Sequence, residues 1–135
     1  MYRFSGNRKI RNANKVVVHE GGERIVFDSK LEYYFYNTAK MLNIEIELKP
    51  KFVLQEAFTD NQGNNIRAIT YTADFRVGDD IIDVKGYPND VFPLKRKLFA
   101  YKYMREGSPI RFFVLKNKKE INKYLYERAN NKNDQ

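Results

Sequence analysis

Two alternating stretches, Ile69–Val77 and Asp80–Gly86, meet at Gly78-Asp79, and this junction constrains the fold more than any other part of the chain. Alternation with a period of two marks strands, and a Gly-Asp pair between them marks a tight hairpin. On the first strand Ile69, Tyr71, Ala73, Phe75 and Val77 share one face, with Thr70, Thr72, Asp74 and Arg76 on the other. On the second, Ile82 and Val84 lie opposite Ile81, Asp83 and Lys85. A two-residue turn makes Val77 face Asp80, Phe75 face Ile82 and Ala73 face Val84, so the apolar faces coincide. A three-residue turn would set Asp74 against Val84 and mix them. The hydrophobic pattern selects the first register, because a slip of one residue turns every side chain over. That register sets Asp74 opposite Asp83 and Thr72 opposite Lys85. Opposed residues have Cβ atoms about 4.5–5.5 Å apart, and like charges there repel. Two hard oxygen ligands converging beside a Lys suit a divalent cation such as Mg²⁺, which keeps several waters and takes few carboxylates. The plainer alternative leaves Asp83 and Lys85 solvated on an exposed sheet face, with Asp74 paired to Arg76 or Lys85.

The remaining elements surround this hairpin. Val16–Val18 and Ile25–Phe27, joined through Glu20-Gly21-Gly22-Glu23, read as a second, smaller β-hairpin. Leu31, Tyr34, Phe35, Thr38 and Leu42 then recur on one face of a helix. Ser29 with Glu32 three residues on forms a capping-box pattern, although Asp28 as the cap would release Glu32. Pro50 opens a strand over Lys51–Gln55, and residues 61–65 form a polar loop. A helix is predicted from Phe92 to Arg105, with Pro93 in its first turn and Asn89 or Asp90 as cap. Ile110–Leu115 reads as a buried strand, and Ile121, Tyr124, Leu125 and Arg128 as a final helix. After the small hairpin the order is α-β-β-β-α-β-α, an α/β domain with a mixed sheet flanked by helices. Residues 1–15, with five bases and no acid, read as a mobile basic arm. Residues 16–130 read as a single domain and 131–135 as a polar tail.

Composition narrows the function classes. A chain of 135 residues fits one domain, and the absence of Cys excludes disulfides, thiolate metal sites and cysteine nucleophiles. No apolar run approaches the ~20 residues that span a bilayer, and the basic N-terminus lacks the apolar core of a secretory signal. A soluble, cytoplasmic protein is expected. The formal charge of +8 makes nucleic acid the leading partner. That charge is unevenly placed: residues 74–90 hold five acids and two bases, a net of −3, which leaves +11 for the rest. Tyr34, Phe35, Tyr71, Phe75 and Phe99 are expected in the core, whereas Tyr33, Tyr36 and Tyr103 are candidates to stack on unpaired bases. His19, beside the Gly-Gly turn, reads as a surface residue.

Ala73-Asp74, followed by Asp83-Val84-Lys85, resembles the signature of the PD-(D/E)XK nuclease superfamily. Ala73 stands where the eponymous Pro would be. Glu32 resembles the acidic residue that many members carry on the first core helix, and the α-β-β-β-α-β order resembles their restriction-endonuclease-like core. The phrases Phe27-Asp28-Ser29-Lys30, Ala68–Phe75 and Asp83–Gly86 are similar to small phage-encoded members regarded as Holliday-junction-resolvase-like endonucleases. The resemblance spans about residues 16–115. It implies phosphodiester hydrolysis with Mg²⁺, Mn²⁺ substituting, and a catalytic set of Glu32, Asp74, Asp83 and Lys85. Asp74, Asp83 and the Val84 carbonyl would hold the metal; Glu32 either assists there or only completes the cap. Lys95, Arg96 and Lys97, together with Arg8, Lys9 and Arg11, are the DNA-contact candidates. Branched DNA in phage recombination, replication or packaging is the implied substrate, and a homodimer would supply the two cuts that a four-way junction requires. The rival readings are a non-catalytic basic nucleic-acid-binding module that keeps the fold, and a structural phage protein whose basic arm neutralises packaged DNA.

Overall fold

Why the central strands fall where they do follows from where the backbone hydrogen bonds can and cannot continue. The structure, a computed structural model, describes residues 15–85 and 92–133. The arm with Arg8, Lys9 and Arg11, the cap candidates Asn89 and Asp90, Gly86 and the last two residues lie outside that description. The chain is α/β and divides into two compact units, one formed by the sequence up to Ile44 and from Asn117 onward, the other by Glu45–Lys116.

In the first unit, β1 (Val16–Glu20) and β2 (Glu23–Phe27) pair as the expected hairpin, from Glu20↔Glu23 at the turn to Val16↔Phe27. Gly21 and Gly22 adopt φ of 60° and 82°, the left-handed pair that a two-residue turn of matching twist demands. Helix α1 (Lys30–Met41) starts at Ser29, whose Oγ accepts from the Glu32 N–H at 3.1 Å. It ends in a left-handed Asn43 with φ 57°. There the Ile44 N–H reaches the Ala39 carbonyl at 2.9 Å and the Asn43 N–H reaches that of Lys40 at 3.1 Å. This is a Schellman closure that buries Ile44.

The buried face of α1 is Glu32, Phe35, Tyr36, Thr38 and Ala39; Phe35 and Thr38 of the expected stripe lie in it, but the face is turned toward Tyr36 and away from Leu31, Tyr34 and Leu42, which are half-buried. Two hydroxyls explain the rotation. The Tyr34 hydroxyl donates to Asn122 Oδ1 at 2.7 Å, and the Tyr36 hydroxyl donates to Glu20 Oε2 at 2.8 Å, with Lys40 also bound to Glu20. Tyr36 is therefore buried against Phe27 rather than exposed for stacking. Helix α3 (Lys118–Asn133) lies on α1, with Phe35 stacked on Tyr124 and with Ile121 and Leu125 in the core. It runs through residues 131–133, expected as tail, because extending a formed helix costs far less than nucleating one.

The second unit is built on a long antiparallel pairing. Segments β3 (Glu47–Leu48) and β4 (Lys51–Gln55) run against β8 (Phe75–Val77) and β7 (Ile69–Thr72), respectively. Glu47↔Arg76, Leu48↔Phe75, Lys51↔Thr72 and Phe52↔Tyr71 step in opposite directions without slip. The pairing thins at Lys49-Pro50, where Lys49 has φ 53° and Pro50 has no N–H. Two bonds cross that gap, Lys49 N–H to the Asp74 carbonyl at 3.1 Å and Ala73 N–H to the Pro50 carbonyl at 3.0 Å. The strand expected as Ile69–Val77 is consequently two short ones.

Between them and α2 (Phe92–Tyr103) runs β9 (Asp80–Val84), paired to β8 by Val77↔Asp80, Arg76↔Ile81 and Phe75↔Ile82. This is the register that the hydrophobic pattern selects, with Gly78 at φ 59° in the turn. Strand β10 (Arg111–Leu115) adds to the other edge of β9 in parallel, which needs a crossover, and α2 supplies it. Every residue of β9 is buried, as befits the inner strand of the order β10-β9-β8-β3. Around it, Leu54, Tyr71, Ala73, Ile81 and Phe99 form a core, with the Phe99 ring 4.9 Å from Phe52 and 5.5 Å from Phe112. The polar loop at 61–65 closes a hairpin of β5 (Phe58–Thr59) and β6 (Asn65–Ile66). There the Asp60 carboxylate accepts from the Gln62 and Asn64 N–H groups, which hold its pKa below the ordinary range. Among the described residues no helix is long and apolar enough to cross a membrane.

One ion pair ties β9 to β10. Asp80, buried, receives a two-pronged contact from Arg111, Nε to Oδ1 at 2.9 Å and Nη2 to Oδ2 at 3.1 Å. Arg111 is itself 61% exposed, so the pair falls short of the cost of a fully desolvated one. Arg111→Leu should destabilise the protein by about 1–3 kcal/mol, because a buried acceptor loses its donor. Urea denaturation of the single variant, and of Arg111→Leu with Asp80→Asn, checks this. The second change should recover part of the loss.

Candidate functional site

Where the ladder between β8 and β9 stops, side chains take over from the backbone. The Val84 N–H donates to Asp74 Oδ2 at 2.8 Å, and the Asp74 N–H donates to Asp83 Oδ1 at 3.1 Å. Each aspartate thereby satisfies a backbone donor on the other strand. The second oxygen of Asp83 accepts from the Tyr71 hydroxyl. Asp74 and Asp83 are thus brought together as expected, but not as a flat cross-strand pair.

The alternation of faces reverses at the Ala73-Asp74 break. Tyr71 and Ala73 were expected on the Phe75 side, yet they pack with Ile81, which shares a face with Asp83. This places a phenol beneath the carboxylate. Tyr71 is in the core as expected, and it has a second role there: a buried Tyr needs a partner for its hydroxyl, and here the partner is the candidate ligand itself. An acid on the facing strand was the available signal. Lys49 carried no signal, since its left-handed backbone beside Pro50 is set by the pairing across the gap.

Burial and charge compete at Asp83, which is only 2% exposed, whereas Asp74 is half-buried. Burial pushes the Asp83 carboxyl above its ordinary value; the Tyr71 hydroxyl, the Lys85 ammonium, the Asp74 N–H and Lys49 pull the other way without overcoming it. Tyr71 is driven upward in turn, by burial first and then by the charge and hydrogen bond of Asp83, so it remains a protonated donor. Because Asp83 in the fold titrates above the 3.8 of an unstructured Asp, its contribution to stability is complete below 3.8 and is lost as pH rises through the raised value. Deprotonating Asp83 in the fold therefore carries a cost. A nearby cation relieves it.

Lys85 follows Asp83 by two residues, half-buried just past the end of β9, its backbone N–H fixed to the Leu115 carbonyl at 3.1 Å. The three DNA-contact candidates on α2 diverge. Arg96 lies over the Phe112 ring at 5.4 Å, and that ring lies 6.1 Å from Tyr71. Lys95 is half-buried and Lys97 exposed. Glu32 belongs to the other compact unit. It is buried and does the work of a cap, its Oε1 accepting from the Asp28 N–H at 3.4 Å. Ser29, not Asp28, is the N-cap.

With this geometry in place, one comparison places the chain. It belongs to the family described as "Protein of unknown function (DUF1064)". The family model matches residues 8–127, which include the whole hairpin, α2 and β10. No curated protein and no solved structure matches the chain.

The donors of this DUF1064 member fit a hard divalent cation. Among the described residues no group of three or more His, Cys, Asp or Glu gathers to hold a metal. Two carboxylates with a backbone carbonyl are nonetheless the sort of protein contribution Mg²⁺ takes, the rest being water. In an extended strand the N–H and C=O of a residue point the same way, so the Val84 carbonyl is directed to the side on which its N–H meets Asp74. Tyr71→Phe should cost about 1–3 kcal/mol at pH 7, since it leaves a buried carboxylate oxygen without its donor. The cost should shrink in acid, where Asp83 is protonated and the charge-assisted part of that bond is gone. Urea denaturation of both proteins at neutral and acid pH checks the sign.

Proposed function

We propose that this protein is a metal-dependent DNA endonuclease of the PD-(D/E)XK type, acting on branched DNA. The observation that carries the reading is the interlocked Asp74–Asp83 pair at the end of the β8–β9 ladder, with Lys85 two residues beyond. In chain order α1, β4, β7–β8, β9, α2 and β10 follow the α-β-β-β-α-β succession of that superfamily, and the +8 charge suits a polyanionic substrate.

Asp74, Asp83 and the Val84 carbonyl are the groups that would hold Mg²⁺ or Mn²⁺. When bound, the cation lowers the pKa of a coordinated water and offsets charge developing on the phosphate. The residues of the chain supply position and polarity. Tyr71 fixes one oxygen of Asp83 and the Asp74 N–H fixes the other, so the carboxylate cannot rotate away. Lys85 orients the attacking water and stabilises the developing oxyanion. Arg96, at the same end of the core as Tyr71, is the first side chain of α2 suited to grip a neighbouring phosphate. Glu32 supports the start of α1 beside the Ser29 cap. A homodimer would give a two-fold-symmetric junction its two cuts.

Incubation of the protein with a synthetic four-way junction in Mg²⁺ tests the proposal. Asp74→Ala, Asp83→Ala and Lys85→Ala should each lower the cleavage rate about 10²-fold or more. Undiminished cleavage by Asp83→Ala and Lys85→Ala would sink the assignment. Equal cutting of linear duplex would keep the nuclease and remove the branched substrate. Salt-sensitive binding without cleavage, indifferent to Mg²⁺ and to Asp74→Ala, would favour the non-catalytic module.

A further inference from the structure

The exposed side of α2 carries a composition that the hairpin site does not use. From Phe92 to Arg105 there are five cations and no acid. Lys102 and Arg96 are engaged with the core side: Lys102 donates to the Val53 carbonyl at 2.8 Å and approaches Glu56, and Arg96 covers Phe112. The outward stripe runs through Leu94, Lys97 and Tyr101 at helical spacing, and Arg105 follows just past the helix end. Tyr101 is 70% exposed, more than any other aromatic among the described residues. It is held rather than loose, because the Arg105 guanidinium lies over its ring at 4.6 Å. An exposed Tyr fixed against a guanidinium, on a helix face that also carries Lys97 and no acid, has the parts of a platform for single-stranded nucleic acid: a flat ring for a base and positive charge for the backbone.

The aromatics expected for this task are placed elsewhere. Tyr36 is buried, and Tyr33 and Tyr103 are half-buried, Tyr103 donating to the Val53 carbonyl at 2.9 Å. We infer that the Lys97–Tyr101–Arg105 face of α2 binds an unpaired strand, with one base stacked on Tyr101 and adjacent phosphates on Lys97 and Arg105. The inference rests on the nuclease reading in one respect: it specifies that the branched substrate presents a single-stranded segment to this face. Arg96, on the same helix, leads from the platform toward Tyr71 and Asp83. Charge complementarity selects nucleic acid as the occupant over a second copy of this chain, whose own α2 would bring like charges together.

Fluorescence anisotropy in EDTA, which separates binding from cleavage, tests this with a labelled oligo-dT strand and a blunt duplex of equal length. Tyr101→Ala should weaken oligo-dT binding by about 5- to 100-fold, with duplex binding within about twofold of wild type. Tyr101→Phe should restore it, since stacking needs the ring and not the hydroxyl. Lys97→Ala should weaken both ligands and reduce the slope of log K against log salt for oligo-dT by about 0.7, one phosphate contact. Unchanged oligo-dT binding by Tyr101→Ala would overturn the inference. So would a loss of dimer in light scattering with binding intact, which would make the stripe a subunit contact. Tyr101-dependent binding by a protein that cleaves nothing would leave the platform standing and remove the nuclease; junction cleavage with Tyr101-independent binding would do the reverse.

Discussion

The second unit depends on the exchange of hydrogen bonds between Asp74 and Asp83 and the backbone of each other's strand. A β-ladder normally satisfies its own donors, and an N–H left unpaired in a buried strand costs about as much as a lost hydrogen bond. Here the ladder between β8 and β9 ends one residue before the two aspartates, and their carboxylates accept the N–H groups that the missing rungs would have paired. The same four atoms therefore hold the sheet together and hold two carboxylates side by side. Structural and chemical roles are difficult to separate at such a place. A substitution of either aspartate is expected to touch both.

The break also decides the electrostatics. Had the strand continued, Asp83 would have lain beside Thr72 and Asp74 on an open face, solvated and ordinary. Reversal of the faces brings Tyr71 beneath it and closes the core over it, so burial dominates and the carboxyl is held above its usual range. Lys85 and Lys49 reduce that cost without cancelling it. A buried carboxylate whose charge is only partly answered by its own protein is a place where a further cation is favourable.

Much of this was legible beforehand because it rests on short-range rules. Gly78-Asp79 and the flanking alternation specify the β8–β9 register; Gly21-Gly22 specifies the first hairpin; Ser29 specifies the start of α1. The less legible features share one cause. The burial of Tyr36, the turned face of α1 and the attachment of Tyr71 to Asp83 are all settled by a hydroxyl finding a partner remote in sequence, and hydrophobic periodicity does not record where hydroxyls go. Phenolic side chains read equally as core or surface until their partner is known.

What the sequence by itself determined, then, is that Asp74, Asp83 and Lys85 lie at the end of a tight antiparallel hairpin in an α/β chain with a basic surround. Local turn chemistry and the period of two suffice for that. Only the tertiary structure decided that the first strand breaks at Ala73-Asp74, that Tyr71 rather than solvent meets Asp83, and that Tyr101 is the most exposed aromatic among the described residues. Each of these depends on a neighbour supplied from elsewhere: Lys49-Pro50 across the gap, the core around Phe99, and the side of α2 that packing against β4 leaves open. Such neighbours are chosen by the energy of the assembled core, which no local window of sequence contains.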